Sequence, residues 1–211
     1  MVKITSYKNF NIKKVHRGSI LLIGNFDGMH LGHQKLFKKA QIYKRKLKLK
    51  IGVITFDPIP KMFFNKKIKN YRISNFDQKI ELFKNFKVDF VINKNFNKKF
   101  SKIYCNDFIK KVIFKKLSAK FIFVSNNFRF GNKREGNVKL LKNLEKKYRY
   151  KIINPSPLKK NKKIISSSVI RKLLEKGKLE RANRFLNRKW SIEGIVKKGR
   201  MIGKKNRLSN M

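Results

Sequence analysis

Two histidines three residues apart, His30 and His33, stand in a chain that holds 3 His among 211 residues. They follow an apolar run, Ser19 to Ile23 (SILLI), and a loop, Gly24-Asn25-Phe26-Asp27-Gly28. Beyond them Leu31, Leu36, Phe37, Ala40 and Tyr43 recur at helical spacing. The histidines are therefore expected at the amino end of a helix, where unpaired N–H groups and the helix dipole attract anions. Gly32 between them leaves room for a phosphate to approach the backbone. Two imidazoles there would donate hydrogen bonds to a polyphosphate and stabilise charge developing at phosphorus. The blander alternative is a pair of incidental surface histidines. A zinc site is a second alternative, but His at i and i+3 with one distant cysteine supplies no third ligand, so no residue is assigned to a metal.

Ser166-Ser167-Ser168-Val169-Ile170-Arg171 offers a second anion cradle. Hydroxyls at a helix N-cap, with an arginine one turn inside, place Ser168, backbone amides and the Arg171 guanidinium where phosphate oxygens could sit. Taken alone this is weak, because serine begins very many helices.

The elements that must position these groups alternate. Ser19 to Ile23 reads as a strand buried on both faces, and Ile51 to Phe56 (IGVITF) as a second. Asp57-Pro58-Ile59-Pro60 stops it, two prolines being expected to exclude a helix and force an extended turn. Ser74 with Asp77 suggests a capping box opening a helix over Phe76 to Phe86. Strands are expected at Val88 to Ile92, Phe121 to Val124 and Lys151 to Ile153, and helices at Asn106 to Leu117 and Asn137 to Lys147. Such βα alternation predicts an α/β fold with a doubly wound parallel sheet. After Ile165 helices follow at Ser166 to Glu175 and Leu179 to Leu186, then an alternating strand from Trp190 to Val196. A boundary is expected near residue 187, dividing the chain into 1–186 and 187–211.

Composition narrows the setting. The formal net charge is +46, from 57 Lys+Arg against 11 Asp+Glu. A nucleic-acid partner would explain that excess, but 45 Lys beside 12 Arg, and 22 Asn beside 3 Ala, are what a strongly A+T-rich coding sequence produces. The lysines are spread from end to end, whereas clustering is what marks an electrostatic footprint, so no specific nucleic acid is expected. The charge would still steer polyanionic substrates. The longest apolar runs are about five residues, far short of the roughly 20 needed for a membrane span. No signal-like segment opens the chain and Cys105 stands alone, so a cytoplasmic protein is expected. Oligomeric state is not legible.

Four stretches together carry a resemblance: Gly24 to Gln34 (GNFDGMHLGHQ), Thr55 to Pro60 (TFDPIP), Phe128 to Gly136 (FRFGNKREG) and Ser166 to Arg171 (SSSVIR). In this order they resemble the bacterial bifunctional riboflavin kinase/FMN adenylyltransferase family, commonly called FAD synthetase. The His-x-Gly-His and serine-arginine motifs would fit the wider nucleotidyltransferase superfamily. The flavin branch is indicated by the other two stretches and by Asp27-Gly28, where the other branches usually carry Asp-Pro. The family commonly has histidine at the position of Ile59 and glycine at that of Ser125. The resemblance implies a nucleotidyltransferase fold and direct adenylyl transfer from ATP to FMN, with pyrophosphate leaving and Mg²⁺ bridging phosphate oxygens. It implies that His30 and His33 contact the ATP phosphates while Ser168 and Arg171 hold the β and γ phosphates. Gly24, Asn25, Phe26, Asp27, Gly28, Gly32 and Ser167 would shape the nucleotide loop, and Asp57, Pro58, Asn127, Phe128 and Arg129 would serve the flavin.

In the family, the stretch resembling Trp190 to Arg200 opens a β-barrel riboflavin kinase domain. Here Gly203-Lys204-Lys205 is followed by Asn206-Arg207-Leu208-Ser209-Asn210-Met211. One adenine inserted into the codons of the family's expected Gly-Lys-Lys-Ile-Gly-Phe-Pro-Thr-Cys-Asn yields that tail and a stop, which resequencing the locus would check. Residues 187–211 are then a remnant too short to close a barrel, and kinase activity would be lost. Two other readings stay open: a basic nucleic-acid-binding protein on an inherited nucleotidyltransferase fold, and an inactive gene fragment.

Overall fold

In the computed structural model, which describes residues 3–68, 71–160 and 163–194, the strands form because their apolar runs can be covered on both sides. Strands β1 (Thr5–Tyr7), β2 (Ile20–Ile23), β3 (Ile51–Asp57), β4 (Phe90–Asn95), β5 (Phe121–Phe123) and β8 (Lys151–Ile153) make one parallel sheet in the order β1-β4-β3-β2-β5-β8. Two short antiparallel ribbons, β6 (Arg129–Phe130) with β7 (Gly136–Asn137) and β9 (Lys159–Lys160) with β10 (Lys163–Ile164), lie outside it. Helices α1 (Leu31–Leu47) and α3 (Phe76–Asn85) cover one face. There Ile20, Leu22, Val53, Val91 and Phe123 meet Leu36, Phe37, Ala40 and Phe83. The alternate residues Leu21, Ile23, Ile54, Ile92 and Ile122 meet Phe108, Ile109, Val112, Ile113 and Leu141 on the other face. The expected doubly wound sheet is therefore present. Its order reverses between β2 and β5, and the crevice at the carboxyl ends of such neighbouring strands is where open α/β sheets bind ligands.

Several local expectations are corrected. Pro60 does not exclude a helix: it occupies the first turn of α2 (Pro60–Phe64), where its missing N–H costs nothing. The capping box belongs to Asn75 and Gln78, because Ser74 is buried and its N–H is taken by Asp27. Strand β4 begins at Phe90 rather than Val88, since the Val88 N–H returns to Phe83 O to close α3. After α4 (Lys98–Ser101) and α5 (Cys105–Asp107), Phe108–Lys116 winds as a π-helix rather than the expected α-helix. The wider turns keep Phe108, Ile109, Val112, Ile113 and Leu117 all buried. The Asn137 to Lys147 helix is broken at Leu144 into α6 (Val138–Asn143) and α7 (Glu145–Tyr148).

Helices α8 (Ser167–Glu175) and α9 (Leu179–Leu186) match expectation and pack on each other through Ile170, Leu173, Ala182, Phe185 and Leu186. No strand forms over Trp190 to Gly194; Ile195, Val196 and the remainder of the expected remnant lie outside the described residues. Across the expected boundary, Trp190 packs on the α8–α9 core and donates from its indole to Ile73 O at 2.9 Å.

Candidate active site

The loop between β2 and α1 is held from within. Asp27 is buried, and its carboxylate accepts the N–H groups of Ile73 at 3.0 and 3.1 Å and Ser74 at 3.2 Å, with Arg171 Nη2 at 2.6 Å. Its backbone carbonyl accepts the Ser167 hydroxyl at 2.8 Å. One aspartate thus joins the loop, the segment before α3 and the first turn of α8. Gly28 sits at φ +79°, and a Cβ there would lie 2.9 Å from the Ile73 side chain. Phe26 and Met29 hold left-handed φ values of 47° and 41°, conformations that bulky residues adopt only where their surroundings over-determine them.

His30 is the N-cap of α1 and is buried; its Nδ1 accepts the His33 N–H at 3.3 Å. That bond fixes the neutral tautomer that carries its proton on Nε2. The two imidazoles stack at 3.7 Å between centroids and 20° between planes, and Phe26 meets the His33 ring edge-on. Burial first, and Arg171 second, lower the His30 pKa to about 4. His33 is held well below its usual value by burial, then by His30 and Arg171. Both rings are neutral hydrogen-bonding groups at pH 7. A Cβ at Gly32 would come within 3.1 Å of the His30 ring, so a larger residue there would press on that buried imidazole. The N–H groups of Leu31 and Gly32 have no partner among the described residues and remain available to an anion.

Ser166 caps α8, and Ser168 is exposed on its first turn. Arg171 does not offer its whole fork: Nε donates to Tyr71 O at 2.7 Å, Nη2 is taken by Asp27, and the guanidinium lies 3.7 Å over the Tyr71 ring. Of its two paired-donor edges, the one formed by Nε and Nη2 is committed to the fold. The structure thus ties the Gly24 to His33 loop to Ser167 and Arg171 through Asp27, with Ser168 exposed on the same first turn of α8. Asp57 joins them indirectly, through an ion pair with Arg72, the neighbour of Tyr71. Pro58 is half-buried beside it. Phe128 stacks on Phe130 and packs against the core, Arg129 is exposed on β6, and the Asn127 carboxamide accepts from Ser125 Oγ at 3.0 Å. Among the described residues no hydrogen bond links these last three to the histidine turn.

A set of site residues escaped sequence reading. Arg188 donates to Gly28 O at 2.8 Å and Ser74 Oγ at 3.2 Å, although it lies beyond the expected boundary. Burial lowers its pKa, and Asp27 opposes that shift. Gln34 ties Met29 O to Leu186 O, both at 2.9 Å. Buried Lys79 donates to Thr55 Oγ1 at 3.3 Å, and Thr55 donates to Asn25 O at 3.3 Å. A signal for Lys79 existed in the sequence, where it interrupts the apolar stripe of Phe76, Ile80 and Phe83. Nothing local distinguishes Arg188 from the other arginines.

A family model described as FAD synthetase matches residues 12–169, three quarters of the chain. The chain belongs to the FAD synthetase family. The match spans the histidine turn, Asp57-Pro58 and the β6–β7 ribbon, and ends two residues before Arg171. The chain is 42% identical over 194 residues to the bifunctional riboflavin kinase/FMN adenylyltransferase of Buchnera aphidicola subsp. Acyrthosiphon pisum (strain APS), covering 92% of this chain and 62% of that protein. It is 30% identical over 192 residues to the FAD synthetase of Listeria monocytogenes serovar 1/2a, covering 90% of this chain and 77% of that protein. Among solved structures it resembles one titled as a macrolide-efflux protein from Streptococcus pneumoniae, with a TM-score of 0.78 and 26% identity over 89% of this chain and 72% of that one. The chain therefore spans less than two thirds of the length of the bifunctional relatives.

Proposed function

We propose that this chain makes FAD by direct adenylyl transfer. A terminal phosphate oxygen of FMN attacks the α-phosphorus of ATP, the bond from that phosphorus to the bridging oxygen breaks, and pyrophosphate leaves. The observation that carries this reading is the pair of stacked, neutral histidines at the amino end of α1, beside the β2–β5 switch point. No protein nucleophile is needed, so the residues act by positioning and by stabilising charge. Here the Nε2–H of His30, the His33 ring and the free N–H groups of α1 face the triphosphate. Ser168 and the uncommitted edge of Arg171 take the leaving phosphates. Asp27 acts one layer back, by fixing the turn and Arg171 together. Asp57, Pro58, Asn127, Phe128 and Arg129 remain the proposed flavin side.

Mg²⁺ enters as part of the MgATP substrate. Among the described residues no three His, Cys, Asp or Glu side chains gather to cage a metal, and Asp27 is already engaged by N–H donors. Travelling with the nucleotide, Mg²⁺ supplies neutralisation of phosphate charge. We assign the adenylyl step to this chain; the segment from residue 187 onward resembles the opening of a kinase domain. A cytoplasmic setting fits the substrates and the single, buried cysteine; no helix among the described residues is long and apolar enough to cross a membrane.

The test is FAD formation from FMN and MgATP by the purified chain, beside His30→Ala and His33→Ala. Turnover is expected, with kcat falling about 100-fold in each variant, the usual cost of one charge-stabilising donor. A folded wild-type chain that makes no FAD would defeat the proposal.

A further inference from the structure

Lys79 is one of the few buried charges among the described residues, at 6% exposure, and the reaction described above gives it no task. It projects from α3 beneath the nucleotide loop, onto the sheet face where Thr55 of β3 pairs in register with Asn93 of β4. Its ammonium carries three donors, yet among the described residues it makes one hydrogen bond, to Thr55 Oγ1. Thr55, itself buried, donates its hydroxyl hydrogen bond to Asn25 O. The peptide that contains this carbonyl also contains the Phe26 N–H, which has no partner among the described residues. Next to it, Asn25 Oδ1 is buried without a partner. A relay thus runs from a buried cation through a hydroxyl to the back of a peptide whose front carries a free donor. Hydrogen bonds in such a chain strengthen one another, and a cation at its head strengthens them most.

We propose that Lys79 is a positioning residue for the nucleotide: through Thr55 it holds and polarises the Asn25–Phe26 peptide toward the triphosphate. The inference rests on the adenylyl-transfer reading and adds a cation that does not touch the substrate. The charged groups facing Lys79 are Asp27 from the β2–α1 loop, Asp57 from the end of β3 and Arg72 from the segment before α3. Burial outweighs the two carboxylates, and the ammonium titrates at about 8. Bound triphosphate favours its charged form, so MgATP binding near pH 8 should take up a proton.

The experiment is calorimetric titration of MgATP into the intact chain at pH 7 and pH 8, in buffers of different ionisation enthalpy. It is run on wild type, Lys79→Met, Lys79→Arg and Thr55→Val, with KM for FMN measured alongside. Wild type should take up a fraction of a proton at pH 8. Lys79→Met should bind MgATP about tenfold more weakly at pH 7, with no such uptake and with KM for FMN unchanged. Thr55→Val, which keeps the cation and breaks the relay, should weaken MgATP similarly while retaining uptake. Lys79→Arg should keep affinity and lose uptake, which preserves the test if the methionine variant does not fold. Wild-type affinity and unchanged uptake in the Lys79 variants would overturn the inference and leave the function standing. Failure of the folded wild type to bind MgATP at either pH would bring down the function reading, and this inference with it.

Discussion

The two histidines of the turn are neutral for a reason that acid should expose. His30 titrates at about 4 in the folded chain against 6.5 in an open one, so its contribution to stability is complete above pH 6.5. It is lost as pH falls from about 6.5 through about 4, because the unfolded state then binds the additional proton. The shift corresponds to about 3 kcal/mol at most. His33 and His16, both lowered mainly by burial, act in the same direction. The urea midpoint should therefore drop steeply between pH 7.5 and pH 4.5, and His30→Ala should flatten that drop. Of the residues at this scale, the placing of His30 and His33 at a helix start was legible from short-range spacing, whereas Asp27 and Ser167 were indicated only by the family resemblance. Lys79 was obscured as one of 45 lysines. Its distinction is burial, which a lysine acquires only when two other elements close over it.

At the scale of elements, the turn is built by segments remote in the chain. Residues 71–75 supply the N–H groups that satisfy Asp27 and the carbonyl that receives Arg171, while residues 186–190 close the same loop from the other side. Arg188→Met should therefore raise KM for ATP about fivefold and lower stability by about 1–3 kcal/mol, since Gly28 O and Ser74 Oγ lose a charged donor. Steady-state kinetics and chemical denaturation would check both figures, and KM for FMN should move less. Strands β2, β3, β5 and β8 and helices α1, α8 and α9 followed from apolar runs and periodicity. The π-helix at Phe108–Lys116 did not, because an α and a π turn differ in which residues face the core, and the core decides between them. The position of the box that caps α3 was missed for a related reason: Ser74 and Asn75 are equally good caps by type, and only the tertiary structure shows that the Ser74 N–H is taken by Asp27.

For the whole molecule, a net charge of +46 surrounds a site that we propose takes two anionic substrates. Diffuse surface charge acts at long range and is screened by salt, whereas the buried groups of the histidine turn are screened little. Raising salt from about 50 to about 300 mM should therefore raise KM for ATP several-fold while kcat holds, measured in the same FAD assay. A parallel fall in kcat would show that surface charge acts on the chemical step itself. The residue order alone carried the parallel α/β architecture, the histidine turn and the family, because alternating apolar runs and a short motif depend on neighbours within a few positions. Folding in three dimensions was needed to tie Arg171 to Asp27, bring Arg188 across the expected boundary at 187 and bury Lys79 behind the loop. Those pairings link residues 55 to 79, 27 to 171 and 28 to 188, and at such separations only the packing of the sheet and its helices fixes which side chains meet.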